Sequence, residues 1–289
     1  MFFPKKLFCA LCLASTLPVS AANIDMATLT AVARLQEARL DARIGIAVVD
    51  TGSGETVSYR GNERFPLNST HKALLCGMLL SKVDHGELTL QDTTHFTQSE
   101  LVTYSPVTSK YVAPASMSWQ QLCRAAVSES DNTAANLVAK KVGGPAAFTR
   151  YMAQLGDSVT RLDRNEPTLN SAIPGDMRDT TTPIAVSQTL QKLALGDVLT
   201  PLSRAQLVQW MREDKVANPL LRKVLPAGWV IGDKTGAGDY GSRSIISIVW
   251  PGKKSPRIVS IYITNTHATL AESNDAIARI GSAIFNATH

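Results

Sequence analysis

The sequence predicts an α+β fold, an α/β sandwich in which both ends of the chain supply one antiparallel sheet and helices cover it. Two observations carry this expectation. Runs rich in β-branched residues occur near the start, at 44–49 and 56–59, and near the end, at 229–234, 244–250 and 257–264, whereas the stretch between has helical periodicity. The connections between consecutive strand runs are short, which demands antiparallel pairing, because a parallel crossover needs about a dozen residues or more. The expected division is a discontinuous sheet domain of residues 22–66 and 214–289, with a mostly helical domain, 67–213, inserted into it.

Residues 1–21 read as a secretory signal peptide: Lys5 and Lys6 precede an apolar stretch, 7–19, followed by Ser20, Ala21 and Ala22. The stretch is shorter than the roughly 20 residues of a membrane span, and neither Cys9 nor Cys12 has the preceding small residues of a lipoprotein signal. Cleavage is expected after Ala21 or Ala22. A helix with apolar Leu29, Val32, Leu35 and Leu40 follows, then a hairpin turning at Gly52, Ser53 and Gly54. In the helical stretch, Ser118 with Gln121 and Ser203 with Gln206 have capping-box spacing. Thr182 suits an N-cap, Pro145 and Pro183 suit first turns, and Gly156 and Gly196 suit helix stops. Residues 161–181 are polar, broken by proline and too long for an ordinary connection, which marks a functional loop. An amphipathic helix at 271–285 closes the chain.

The formal charge of +5 falls to +3 once Lys5 and Lys6 are removed, 27 basic against 24 acidic residues. The excess is spread out, and Lys253 and Lys254 suit a solvated hairpin tip, so no nucleic-acid partner is expected. No second long apolar stretch occurs, so the mature chain is expected to be soluble, monomeric and free of the membrane. Signal cleavage leaves Cys76 and Cys123 as the one cysteine pair of an exported chain, expected to bond to each other, with two buried free thiols as the alternative. His71, His85, His95, His267 and His289 are scattered without ligand-like spacing, so neither metal nor other cofactor is expected.

Three short motifs carry chemistry. Ser69 and Lys72 stand one helical turn apart at the head of an apolar run, 73–80; positions three apart share a helix face, and a lysine beside a hydroxyl can serve as its base. Alone, the pair equally describes a solvated lysine on an exposed helix. Ser130, Asp131 and Asn132 lead into a helix and display a second hydroxyl and a carboxamide, or simply cap that helix. Lys234, Thr235 and Gly236 end a strand pattern continued by Ala237 and Gly238. Glycine there allows close approach to the backbone, and Arg243 across the next turn adds a guanidinium suited to a carboxylate. In the long loop, Glu166 and Asn170 can hold one water between them, while Arg164 and Asp179 can clamp the loop as an ion pair. Glu166 before Pro167 implies an extended or cis peptide.

Together these motifs resemble the class A serine β-lactamases, whose Ser-x-x-Lys, Ser-Asp-Asn and Lys-Thr-Gly set appears here in order across essentially the whole mature chain. The loop 161–181 resembles the family's omega loop, and Cys76 with Cys123 matches the disulfide of one branch. The resemblance implies hydrolysis of the β-lactam amide through an acyl-enzyme, and so antibiotic resistance. Ser69 would attack the carbonyl, with the oxyanion between the N–H groups of Ser69 and Ala237. Lys72, or Glu166 through a water, would take the serine proton. Ser130 would relay a proton to the leaving nitrogen, assisted by Lys234. Asn132 would hold the acylamino side chain, and Lys234, Thr235 and Arg243 the substrate carboxylate beside Gly236. Tyr104 would wall the cleft, and Glu166 with Asn170 would activate the deacylating water. Secretion to the periplasm is implied.

Two residues depart from the family pattern. His71 replaces a common phenylalanine; two helical residues turn through about 200°, so it should point away from Ser69 as a packing or partly solvated residue. Asn165 replaces a commonly aromatic residue. A penicillin-binding DD-peptidase would share Ser69, Lys72, Ser130 and Lys234 but lack the water-activating Glu166 with Asn170. A non-catalytic β-lactam sensor would need a tether or signalling domain, and none is visible. Arg164, Asp179 and Gly238 match narrow-spectrum members, so penicillins and early cephalosporins are the expected substrates.

Overall fold

The structure, a computed structural model, describes residues 24–287; the expected signal peptide at 1–21 lies outside the described residues. Helix α1 (Met26–Leu40) starts where Asp25 accepts from the Thr28 N–H, and is followed by the hairpin strands β1 (Arg43–Asp50) and β2 (Thr56–Tyr59). Six helices follow: α2 (His71–Asp84), α3 (Trp119–Ser128), α4 (Asn132–Val142), α5 (Gly144–Gln154), α6 (Pro183–Ala194) and α7 (Pro201–Arg212). Strands β3 (Val230–Ala237), β4 (Arg243–Trp250) and β5 (Arg257–Thr264) and helix α8 (Leu270–Asn286) complete the order. The strands form one five-stranded antiparallel sheet, β2-β1-β5-β4-β3, so the two chain ends meet at the β1–β5 pairing.

Strands β1, β4 and β5 read as near-continuous apolar runs because both faces of the sheet are covered there. Ile44, Ile46 and Val48 of β1, Ile245 and Val249 of β4, and Val259, Ile261 and Ile263 of β5 pack with α1 and α8. The alternate positions Val49, Ile246, Ile248, Ile258 and Tyr262 join the core of the helices α2 to α7. The two-residue period of a strand thus feeds two separate cores.

Within the helical set, α2 is buried at every residue from His71 to Ser81. A helix apolar on all sides belongs in an interior, and this one is tied to α3 by a Cys76–Cys123 disulfide with Cα atoms 5.7 Å apart. The expected caps at Ser118 and Thr182 are present. The expected box at Ser203 is not: α7 begins a turn earlier, where Thr200 accepts from the Ser203 N–H and Pro201 takes the first turn. Proline's preset φ and missing donor favour that start over the later serine.

Strand β3 continues through Lys234, Thr235 and Gly236 to Ala237, as the pattern suggested, because full pairing with β4 outweighs the weak strand preference of Gly236. Residues 161–181 contain only a 3-10 turn, Thr168–Ser171, and the short strand Thr180–Thr181, which pairs with Phe65–Pro66.

Candidate active site

Ser69 lies in a 3-10 turn, Asn68–Thr70, that runs into α2, so Lys72 follows it one turn inside the helix. The turn is pinned by the Thr70 hydroxyl, which donates to Leu67 O at 2.6 Å, and by Asn68 Nδ2, which donates to Ser242 Oγ at 2.9 Å. Strand β3 passes directly over it. A Cβ on Gly236 would stand 2.9 Å from Asn68 Cβ and 3.1 Å from Ser69 N, so this contact requires glycine. The next residue, the exposed Ala237, ends the strand paired with Arg243.

Lys72 is not the solvated lysine of the alternative reading: it is fully buried. Its Nζ donates to Ser130 O at 2.9 Å and to Asn132 Oδ1 at 2.6 Å, reaches Ser130 Oγ at 3.4 Å, and pairs with Glu166 Oε1 at 3.0 Å. Burial lowers the lysine pKa, opposed by the Glu166 charge. For Glu166 burial pushes upward, but Lys72, His71 and the Asn170 amide outweigh it, and the carboxyl stays below its ordinary range. The ammonium and carboxylate are therefore mutually dependent, each the main charge offsetting the other's burial.

Glu166 Oε1 also lies 3.4 Å from Ser69 Oγ, while Oε2 accepts from Asn170 Nδ2 at 2.5 Å. Asn170 Oδ1 is buried and makes no hydrogen bond, leaving an acceptor beside the carboxylate. The Glu166–Pro167 peptide is cis, one of the two forms the sequence left open.

Asp131, not Ser130, caps α4: it accepts from Ala134 N, and its other bonds to Val107 N, Thr108 N and Thr108 Oγ1 anchor the preceding loop. Ser130 is thereby left free in a left-handed conformation, φ 59°, with its Oγ accepting from Lys234 Nζ at 3.1 Å. Lys234 is buried, which draws its pKa down to about 8 against the opposing charge of Asp214. Its Nζ also donates to Thr235 O at 3.0 Å. Arg243 Nη1 donates to Gly236 O at 3.0 Å, and its Nε to Asn274 Oδ1 at 2.8 Å. Asn132 Nδ2 donates to Thr103 O at 2.8 Å, and Asn132 N to Tyr104 O at 3.0 Å, so the half-exposed Tyr104 borders the same group.

Ser69 and Ser130 each keep 8 % exposure, enough for access from one side. The clamp residues stand apart from these hydroxyls. Arg164 Nε donates to Asp179 Oδ2 at 2.6 Å, and Asp179 Oδ1 accepts from Asp163 N and Arg164 N, closing the neck of the loop. His71 is buried as a packing residue, its Nδ1 2.7 Å from Asn68 O, and burial draws its pKa down to about 4.

One participant was not foreseen. Asn136 on α4 accepts from Glu166 N through Oδ1 and donates to Glu166 O through Nδ2, both at 2.9 Å, gripping the backbone of the loop carboxylate. Its spacing four residues after Asn132 puts both carboxamides on one helix face, the signal that could have found it. Among the described residues no group of three or more His, Cys, Asp or Glu side chains is arranged to hold a metal ion.

Comparison with known proteins shows the family and the fold. Residues 27–288 match the model of the Beta-lactamase enzyme family. The chain is 51 % identical over 268 residues to β-lactamase AER-1 of Aeromonas hydrophila, covering 93 % of this chain and 88 % of that protein. It superposes on an ancestral class A β-lactamase (GNCA) with a TM-score of 0.88 and 46 % identity, over 90 % of this chain and 99 % of that one. The class A β-lactamase reconstructed for the last common ancestor of Gram-negative bacteria (GNCA4) gives a TM-score of 0.89 at 46 % identity, over 91 % of this chain and 100 % of the other.

Proposed function

Because the chain belongs to the class A β-lactamases, enzymes that hydrolyse the β-lactam amide and confer resistance, we propose a two-step serine mechanism for it with the following residue roles. Ser69 Oγ attacks the lactam carbonyl while Lys72, or Glu166 through a water, takes its proton. The oxyanion is held by the backbone N–H groups of Ser69 and Ala237. Ser130, hydrogen-bonded to Lys234, passes a proton to the departing nitrogen. Lys234, Thr235 and Arg243 bind the substrate carboxylate beside Gly236, and Asn132 and Tyr104 border the acylamino side chain. Glu166 and Asn170 then activate the water that releases the product.

The observation that carries this reading is the 3.4 Å approach of Glu166 Oε1 to Ser69 Oγ, with Asn170 bonded to the same carboxylate. A DD-peptidase or a covalent sensor has no use for a carboxylate at that distance. The test is Glu166→Ala exposed to benzylpenicillin: a stable adduct with the mass of protein plus intact drug is expected, because the second step loses its base while Lys72 still serves the first. Rapid turnover by this variant would remove Glu166 from its role.

The proposed substrates are penicillins and early cephalosporins. Gly238 supports this, since a Cβ there would lie 2.5 Å from Asn170 O and 2.8 Å from Asn68 Oδ1, so the β3 end sits tight against the loop and leaves little give for a bulky oxyimino group. Equal kcat/KM on cefotaxime and ampicillin would contradict it. The proposed setting is the periplasm, as a monomer, consistent with the leader-like first residues and with no described helix being long and apolar enough to cross a membrane.

A further inference from the structure

Against the loop 161–181 lies a cavity of 270 Å³ whose wall contains four guanidinium groups, Arg43, Arg64, Arg164 and Arg178, and one carboxylate, Asp176, and none of Ser69, Lys72, Ser130 or Glu166. Three of these guanidinium groups have a carboxylate partner: Arg43 with Glu63 at 3.1 Å, Arg164 with Asp179 at 2.6 Å and Arg178 with Asp176 at 2.7 Å. Arg64 has none. Its Nη1 donates to two neutral oxygens, Val159 O at 2.8 Å and Thr180 Oγ1 at 2.9 Å, while its Nε and Nη2 make no hydrogen bond to the described residues. The terminal nitrogens of Arg164 are likewise unengaged, because its ion pair runs through Nε.

We propose that this cavity is a binding site for a small oxyanion of the phosphate class, held by Arg64 and Arg164 with Arg43 and Arg178 around it. Guanidinium forks match the oxygen geometry of phosphate, and donors arriving from separate segments of the chain suit a tetrahedral ion better than a planar one. The volume falls just below that of ordinary drug-sized pockets, roughly 300 Å³ and upward, and accommodates an inorganic ion with its near waters. Leu169 and Ala172, which flank Asn170, form part of the same wall. A bound anion therefore braces the loop without touching the reacting groups.

The site is read by thermal unfolding and calorimetric titration of the whole mature protein with sodium phosphate, against sodium chloride and sodium acetate at matched ionic strength. A saturable rise in Tm is expected with phosphate alone, about 3 °C at tenfold excess over Kd. Arg64→Gln should abolish it and Arg64→Lys should keep part of it. Should Arg64→Gln fold poorly, Arg178→Gln serves: its side chain is 51 % exposed, and a several-fold loss of phosphate affinity is expected. The rise should persist in Lys234→Ala, which lacks one of the cations assigned to the substrate carboxylate. A rise that survives both arginine substitutions, one that vanishes in Lys234→Ala, or one reproduced by acetate or chloride would overturn the proposal.

Discussion

At the scale of single residues, His71 shows how a departure from the family pattern is absorbed. It turns away from Ser69 and is buried, so its neutral form is favoured and its pKa falls to about 4 from the usual 6.5. The unfolded chain then binds more protons than the native one between those values, so stability falls as the pH drops through 6.5 and levels off below 4. Full expression of that shift corresponds to about 3 kcal/mol. His71→Phe should therefore flatten the acid limb: Tm measured at pH 5 and pH 7.5 should differ less in the variant than in the parent. An unchanged difference would show that another group governs the acid limb. Lys72 is the opposite case, a buried cation with its four polar contacts all inside the site. Lys72→Ala should slow acylation by roughly 10²–10⁴-fold, the usual worth of a positioned proton acceptor, measured by stopped-flow with nitrocefin. Ser69 and Lys72 were legible as a pair from spacing alone, but whether Lys72 was solvated was not, because burial depends on α3, α4 and the loop closing over it.

At the scale of elements, the long loop was visible through its length and polarity, yet its shape rests on tertiary partners. Asp179 is the knot. It is fully buried in its side chain, pairs with Arg164, and accepts two backbone N–H groups. Breaking a buried pair leaves the partner charge uncompensated, at about 3 kcal/mol. Asp179→Ala should lower Tm by several degrees and slow deacylation more than acylation, since Glu166 and Asn170 travel with the loop while Ser69 does not. Equal slowing of both steps in single-turnover kinetics would argue against a loop-borne effect. Asn136 escaped notice because its one sequence signal, a spacing of four residues from Asn132, names no partner; only the folded position of residue 166 gives it a purpose. The two-residue strands Phe65–Pro66 and Thr180–Thr181 were illegible for a related reason, being too short for any periodicity. The start of α7 was misread because Ser203 and Gln206 satisfy a local rule that Thr200 and Pro201 satisfy better one turn earlier.

At the scale of the whole molecule, the sheet was legible because its central strands β1, β4 and β5 are buried on both faces and so announce themselves as β-branched runs, while the short turns implied antiparallel pairing of consecutive strands. What joins the two chain ends is the β1–β5 pairing, and what ties the helical set together is α2, which touches nearly everything around it. The Cys76–Cys123 bond links this helix to α3 across 47 residues of chain, with both cysteines fully buried. A loop of that size removes denatured-state entropy worth about 4 kcal/mol in the chain model. Cys76→Ala combined with Cys123→Ala should lower the urea midpoint accordingly; alanine is preferred to serine because it adds no buried hydroxyl to satisfy. Activity at 25 °C should stay within several-fold of the parent, since the apolar neighbours Leu74, Leu75 and Leu79 still hold α2 in place. Because both sulfurs are inaccessible in the native state, reductant without denaturant should leave the parent's Tm unchanged, whereas reductant added during urea unfolding should reproduce the double variant's midpoint. If the double variant and the parent unfold at the same urea concentration, the bond does not stabilise this fold.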